Sequence, residues 1–427
     1  MFSVKQKIKN SLIKLQEYLH VDTLYLARGG FWLTAAFFLS SILGLVQVIV
    51  FANFLPKETY GTYKYILSLA GAFSFLTLTG MNDAVAQATA KSGSSSILSY
   101  AVKIQLKWNF IFSAVLTGLS VYYFLNSNNL LAKCLFVLGI TFPLATTFNT
   151  YGAFLTGKKD FKRGSIYGTI SSSIQIISLI TVALLTNDIF TLVITYALSI
   201  LGPTLFFYFR TLKLHKSEII LEEKQKTELL TYTGHLSFMH VLSGIAQYVD
   251  KLVIFHYLGA IELAVYGLAL AIPERIRGYV KNLGVMIMPK LAEKTFEDIH
   301  KSFYKRVFQG MLIGTLMSAT YILLSPIFYK IFLPKYLDAI TFSQVFSLTL
   351  IFALPANYIS GIFSAHKMVR PLYYSSLGAS IIKITLYIVL GRLYGIWGVI
   401  ASILIVYIVN IIHNFYLLET EIRKHRT

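Results

Sequence analysis

Twelve apolar segments recur along the chain, and a helix of about 20 such residues crosses the roughly 30 Å of hydrocarbon in a bilayer. They lie near residues 30–52, 61–82, 105–125, 131–155, 165–186, 188–209, 236–258, 263–289, 307–329, 340–365, 372–391 and 396–418. Only 13% of all residues are charged, against about 25% in soluble proteins. The sequence therefore predicts an all-α polytopic membrane protein with twelve transmembrane helices, because helices satisfy their backbone polar groups internally.

The basic residues predict the orientation of these helices. With a cytoplasmic N-terminus, 27 of the 38 Lys and Arg residues fall in cytoplasmic segments and 5 in outer loops, as the positive-inside rule requires. Six more lie within the spans. Without the charged eighth span, every later loop would lie on the opposite side of the membrane. This segment is therefore predicted to cross the membrane. Both termini are then cytoplasmic, and the net charge of +19 is assigned to orientation rather than to nucleic acid binding.

The longest polar connection divides the spans six and six. We predict a cytoplasmic amphipathic N-terminal arm (1–29), an N-terminal six-helix lobe (30–210), a cytoplasmic linker (211–235), a C-terminal six-helix lobe (236–418) and a cytoplasmic tail (419–427). Because six is even, the two lobes have the same orientation and are related by a pseudo-two-fold axis along the membrane normal.

The two halves are also similar in sequence. Residues 48–67 align with 251–270, and residues 163–182 align with 370–389. Parallel repeats of this kind occur in secondary transporters that hold their substrate between the lobes. We therefore expect a binding cavity at the centre of the bundle.

The eighth span contains four ionisable residues in its interior. Glu274, Arg277 and Lys281 are spaced i, i+3 and i+7, so they share one face of the helix, and Arg275 lies about 100° around it. A charged side chain at this depth costs at least about 2.5–3.5 kcal/mol, so it is expected to face a cavity or a partner. The four residues carry a net positive charge, which is typical of an anion site. The alternative is a Glu274–Arg277 pair that neutralises itself.

Other spans contribute candidates to the same cavity. The predicted diphosphate-binding residues are Arg275, Arg277, Lys281, Lys64, Lys383 and Lys251. The candidates for gating, or for coupling to H⁺ or Na⁺, are Glu274, Asp250 and Asp83, and the candidates for polar lining are His240, Ser243, Gln247 and Tyr387. For Asp250 and Lys251, snorkelling or a gate pair stays open as an alternative. Ser and Gly residues in the first and fifth spans, with Gln47 and Gln175, are interpreted as helix-packing positions.

Three stretches resemble the bacterial polysaccharide transporters. They are FLPKETYGTYKYILSLAGAFSFLTLTGMNDAVAQ (54–87), DKLVIFHYLGAIELAVYGLA (250–269) and SAHKMVRPLYYSSLGASIIKITLYIVLGRLYGIWGVIASIL (364–404). The resemblance implies a flippase that moves an undecaprenyl-diphosphate-linked oligosaccharide of O-antigen type across the bacterial cytoplasmic (inner) membrane. It also implies membrane lipid and other polysaccharide assembly proteins as partners. Many relatives carry Arg or Lys after the second span, whereas this chain has Asp83 and Gln87 before Lys91.

Two further classes of protein were considered. A multidrug or organic-ion exporter of the same superfamily is the main alternative, but its cation site would favour acidic linings. A membrane glycosyltransferase or polymerase is disfavoured, because the outer loops are short and the sequence has no DxD, Walker, HExxH or GxSxG motif. The single Cys134 excludes an intramolecular disulfide and a thiolate metal site. We therefore predict a transporter without enzymatic activity, cofactor or metal.

Overall fold

The computed structural model describes residues 23–215, 221–292, 296–366 and 368–424, and these ranges contain helices and no strand. The first half comprises α1 (Thr23–Phe54), α2 (Lys57–Ala72), a 3₁₀ turn (Phe73–Leu76), α3 (Met81–Ser92), α4 (Ser96–Leu125), α5 (Asn129–Phe148), α6 (Thr150–Gly157), α7 (Phe161–Leu185) and α8 (Ile189–Leu214). The second half comprises α9 (Glu223–Ala246), α10 (Val249–Leu258), α11 (Ala260–Ala292), α12 (Phe296–Phe332), α13 (Ala339–Ser347), α14 (Thr349–Ala365) and α15 (Val369–Lys424).

Twelve transmembrane helices are confirmed. In the described part of the chain, nine helical segments are long and apolar enough to cross a membrane, and the pair of Lys57–Leu76 and Met81–Ser92, bent by 54°, makes ten. Several of these segments join two helices, such as α5 with α6 and α9 with α10. The remaining two spans are the charged α11 and one arm of α15, since α15 is a pair of helices.

The two arms of α15 reverse direction at Gly395. This residue has φ 58° and ψ −135°, a left-handed conformation that glycine adopts without steric cost. Ser375 Oγ donates a hydrogen bond of 2.8 Å to Asn410 Oδ1, although 35 residues of straight helix would separate them by about 50 Å. The arms are therefore antiparallel and form the eleventh and twelfth spans, as predicted.

The helix pairing repeats from one lobe to the other. In the N-terminal lobe, α1 packs on α7 and α4 packs on α5; in the C-terminal lobe, α10 packs on α15 and α12 packs on α14. In each half, the first span thus packs on the fifth and the third span packs on the fourth, which agrees with the predicted repeat. The lobes meet mainly where α11 packs against α2 and α1.

The lobes are also joined at the face of the bundle away from the chain termini, called here the distal face. Asn53 Nδ2 donates a hydrogen bond of 2.7 Å to Phe332 O. Lys57 Nζ lies 2.7 Å from Asp338 Oδ2. We call these four residues the distal latch. At the opposite, proximal face, the backbone N–H of Gly80 donates to Ser237 Oγ at 3.0 Å.

The predicted segments outside the lobes are only partly described. Of the amphipathic arm (1–29), residues 23–29 begin α1, and the others lie outside the described residues. The linker predicted at 211–235 is largely helical, because α8 continues to Leu214 and α9 already begins at Glu223. Its Lys, Gln, Glu and Leu residues are good helix formers. The tail continues α15 to Lys424.

Candidate functional site

A charged cavity lies within the C-terminal lobe, among α10, α11, α13, α14 and both arms of α15, and has a volume of about 770 Å³. Six charged residues line it: Asp250, Lys251, Glu274, Arg277, Lys281 and Lys383. Four are cations and two are anions, so the lining has a net charge of +2. The sequence predicted all six residues, but it placed their cavity between the lobes.

The eighth span, α11, continues through Pro273 without a break. Proline has no N–H, so it leaves the carbonyl of Ala269, four residues earlier, without its helical partner. Ser343 Oγ on α13 donates a hydrogen bond of 2.6 Å to that carbonyl, and the Ser343 hydroxyl also contacts Tyr321 OH. These contacts hold α11 against α13 just above the charged residues.

Arg277 points into the C-terminal cavity. Its Nη1 donates a hydrogen bond of 2.6 Å to Tyr407 OH, and its guanidinium lies 5.7 Å from the centre of the Tyr407 ring. Its Nη2 lies 3.5 Å from Glu274 Oε1, at the outer limit of a hydrogen bond. Since Glu274 is half exposed, the Glu274–Arg277 pair only weakly neutralises the positive charge on this face of α11. Arg277 keeps further N–H donors for a ligand.

Asp250 is the most buried charge of the cavity, with 5% of its surface exposed. Tyr266 OH donates a hydrogen bond of 2.7 Å to Asp250 Oδ2. The ammonium of Lys251 lies 3.2 Å from Asp250 Oδ1 and 3.3 Å from the carbonyl of Gln247. Asp250 is therefore satisfied by the protein itself, as a buried carboxylate must be.

Lys383 and Lys281 complete the cationic lining. Lys383 Nζ lies 5.3 Å from the centre of the Tyr387 ring, a cation–π contact, and Lys281 is exposed. Among the described residues, neither ammonium forms an ion pair. These two cations are therefore free to contact an anion.

A second cavity of about 390 Å³ lies between the lobes, on the other side of α11. Arg275 and Lys64 line it, together with Lys251 and Glu274. Arg275 Nη1 donates a hydrogen bond of 2.9 Å to Ser41 O on α1. A Cβ atom at Gly44 would lie 2.8 Å from both Nη atoms of Arg275, so a larger residue there would displace the guanidinium.

Three predicted residues lie apart from both cavities. Asp83 is exposed in the first turn of α3. His240 and Ser243 line neither cavity, and the hydroxyl of Ser243 donates to His240 O within the helix. The sequence places His240, Ser243, Gln247 and Asp250 on one face of a continuous seventh span, with spacings of i, i+3, i+7 and i+10, whereas the helix is interrupted between Ala246 and Val249. Of these four residues, Gln247 and Asp250, at and after this break, face the C-terminal cavity.

The sequence reasoning missed polar residues of the twelfth span. Tyr407, Asn410 and Asn414 line the C-terminal cavity, and Asn414 Nδ2 donates to Asn410 Oδ1 at 3.1 Å. Their spacing of i, i+3 and i+7 is the same as that of the charged stripe in α11, so helical periodicity could have identified them.

Comparison with known proteins identifies the family of this chain and solved structures with a similar fold. The family described as "Polysaccharide biosynthesis protein" matches residues 26–293, while no curated protein gives a significant match. A structure of the lipid II flippase MurJ in an inward closed conformation is 17% identical, with a TM-score of 0.65, over 91% of this chain and 87% of that chain.

Transporters with other cargo share this architecture. An inward-facing multidrug resistance MATE family transporter of the MOP superfamily is 16% identical, with a TM-score of 0.62, over 95% of each chain. A MOP superfamily transporter from Pyrococcus furiosus is 14% identical, with a TM-score of 0.60, over 94% of this chain and 96% of that chain. At these identities the likeness establishes the fold.

Proposed function

Since the chain belongs to the polysaccharide biosynthesis protein family, we propose that it is a flippase for an undecaprenyl-diphosphate-linked oligosaccharide. It would move this lipid from the cytoplasmic to the periplasmic leaflet of the bacterial cytoplasmic membrane, with both of its own termini in the cytoplasm. The observation that carries the proposal is the cavity of about 770 Å³ with four cations and two anions inside a membrane-spanning lobe.

A diphosphate is the chemical group that this cavity fits best. Moving it through low-dielectric surroundings requires cations that replace its hydration. Arg277 can bind phosphate oxygens through two parallel N–H groups, and the unpaired ammonium groups of Lys383 and Lys281 add compact positive charge. The Asp250–Lys251 pair and the Arg277–Glu274 contact leave this excess positive charge in place.

The lining also supports an entry route for the diphosphate. It extends from Lys251 in the seventh span to Asn410 and Asn414 in the last turns of α15, toward the proximal face. Arg275 and Lys64 lie in the adjacent cavity between the lobes. A head group would therefore meet cations on both sides of α11, while its polyprenyl tail stays in lipid.

An exporter of organic cations is less compatible with this cavity. Such a cargo needs unpaired acidic groups, but Asp250 accepts a hydrogen bond from Tyr266 and forms an ion pair with Lys251. Glu274 contacts Arg277. A cationic drug would therefore meet a lining of net positive charge.

Deletion of the gene in its host tests the proposal. We expect lipid-linked oligosaccharide to accumulate and surface glycan to disappear. The variants Arg277→Gln and Lys281→Gln, inserted at normal levels, should restore less than about a tenth of the glycan, since the loss of one charge-assisted hydrogen bond costs about 1.5–3 kcal/mol. Arg392→Gln and Lys305→Gln, exposed and outside both cavities, serve as matched controls.

Two results would contradict this function. In the first, deletion leaves the glycan intact and changes only the sensitivity to drugs, which would favour the exporter. In the second, Arg277→Gln and Lys281→Gln both restore full glycan export.

A further inference from the structure

The N-terminal lobe contains a polar cavity of a different character, with a volume of about 350 Å³, among α5, α6, α7 and α8. This size lies within the range of about 300–1,000 Å³ that is common for small-molecule sites. Its lining includes Thr146, Asn149, Ser172, Gln175 and Tyr196, and no charged residue is part of it. Each lobe thus has an internal polar cavity, but only the C-terminal one is charged.

A smaller cavity of about 200 Å³ adjoins this one, and the two share Phe142 and Thr146. Its lining is again uncharged and includes hydroxyl and amide groups such as Thr79 and Asn82. The 3₁₀ turn that contributes to its wall packs against α9 of the other lobe. The two cavities together form the N-lobe polar cavity, which extends from the lobe interior toward the lobe interface.

Several of its polar side chains have no protein partner. Among the described residues, Thr79 Oγ1 and Asn109 Oδ1 of this lining are buried without a hydrogen-bond partner. The half-buried side chains of Gln175 and Ser172, which also line the cavity, make no side-chain hydrogen bond there. The Asn109 amide is only half paired, since its Nδ2 donates to Thr147 Oγ1 at 2.8 Å and its Oδ1 is left without a partner among the described residues. A buried polar atom without a hydrogen-bond partner is costly inside a membrane bundle. These groups are therefore better explained by a polar ligand than by helix packing.

We propose that the N-lobe polar cavity binds the uncharged sugar units of the cargo. This inference rests on the proposed flippase function and adds a second subsite to it. Sugar hydroxyls donate and accept hydrogen bonds, as do the amides and hydroxyls of this lining. This lining has no cation that could bind a diphosphate. The diphosphate of a lipid-linked oligosaccharide is therefore assigned to the charged C-terminal lobe, and its uncharged sugars to the N-terminal lobe.

The positions of the cavities suit a cargo that occupies both. The ring of Tyr196 lies 6.4 Å from that of Tyr63, centre to centre. Tyr63 is adjacent in sequence to Lys64, which lines the cavity between the lobes. Only α2 therefore lies between the sugar subsite and the cationic cavity between the lobes.

Binding of two natural probes to the purified full-length protein tests the inference. The probes are undecaprenyl diphosphate, which has no sugar, and the lipid-linked oligosaccharide isolated from membranes of the host. The wild type should bind the glycan-bearing lipid at least about tenfold more tightly, an increment of about 1.4 kcal/mol. Gln175→Leu and Ser172→Ala should each remove most of this increment and leave the affinity for undecaprenyl diphosphate unchanged.

Ser173→Ala is the matched control, because Ser173 is adjacent on α7 but does not line the cavity. It should preserve the increment. Without cargo, Gln175→Leu should unfold at the wild-type temperature or higher, since its amide has no protein partner to lose. A marked loss of stability would instead indicate a structural amide and contradict the sugar subsite.

Failure of the inference and failure of the flippase function give different results. If both variants retain the glycan-dependent increment, or if the wild type shows none, the sugar subsite is wrong, whereas binding of undecaprenyl diphosphate still supports the flippase. If the wild type binds neither probe, the proposed function itself is contradicted, and the sugar subsite with it.

Discussion

Loss of the ammonium of Lys251 should strongly destabilise the protein. Asp250, which is 5% exposed, would keep the hydrogen bond from Tyr266 but lose the one cation that pairs with it among the described residues. At the Nζ–Oδ1 distance of 3.2 Å, Coulomb's law gives an attraction between the two charges of about 5 kcal/mol, with an effective dielectric constant of about 20. The Lys251 side chain is 29% exposed, so solvent screens part of this energy.

We therefore expect Lys251→Gln to lower the free energy of unfolding by about 3 kcal/mol, the lower end of the range for a buried charge that loses its partner. Asp250→Asn should cost less, because it leaves only the partly exposed ammonium without a partner. The double variant should recover most of the stability lost in Lys251→Gln, since it buries no unpaired charge.

Thermal unfolding of the four proteins in one detergent completes a double-mutant cycle. A coupling energy of at least about 1.5 kcal/mol is expected for Asp250 and Lys251. The surface pair Lys226–Glu223 at the start of α9, in which the glutamate is 86% exposed, should give less than about 0.5 kcal/mol. A Lys251→Gln variant as stable as the wild type would refute the reasoning, because Asp250 would then not depend on its lysine.

Three further predictions follow from local contacts. Gly44→Ala should displace the guanidinium of Arg275 and reduce glycan export several-fold with little change in stability, whereas Gly118→Ala, which meets open space, should have no effect on export. Ser343→Ala should lower the free energy of unfolding by about 1–2 kcal/mol, since it leaves an α11 carbonyl unpaired; no change in detergent unfolding would contradict this. Hydrogen bonds at the start of α8 lower the pKa of Asp188 from its usual 3.8, so Asp188→Ala should cost about 1 kcal/mol at pH 7. This cost should fade as pH drops through the lowered pKa; an equal cost at pH 7 and pH 3 would be evidence against it.

Hydropathy and periodicity were sufficient to predict most of the fold and the charged face of α11. The spacing of Glu274, Arg277 and Lys281 placed them on one side of the helix, and the offset of Arg275 placed it on another, which matches the two cavities. These predictions succeeded because they depend on the geometry of a single helix.

Features that depend on contacts between helices could not be predicted in this way. The sequence gives no sign that the seventh span is interrupted after Ala246, and the register of its polar stripe fails there. It also cannot distinguish a packing residue from a cavity residue. Gln175 was assigned to helix packing, but it lines the N-lobe polar cavity. Gly44 does allow close packing, and its neighbour is the guanidinium of Arg275.

The distal latch makes the contact between the lobes at the distal face sensitive to the surrounding medium. The side chains of Lys57 and Asp338 are 28% and 50% exposed, and such pairs contribute about 0–1 kcal/mol. The screening length of electrolyte falls from about 8 Å at 0.15 M to about 3 Å at 1 M. A cell regulates the ionic strength of its cytoplasm but not that of its habitat. If the distal face is the outer one, as the distribution of basic residues predicts, external salinity weakens this contact and favours separation of the lobes.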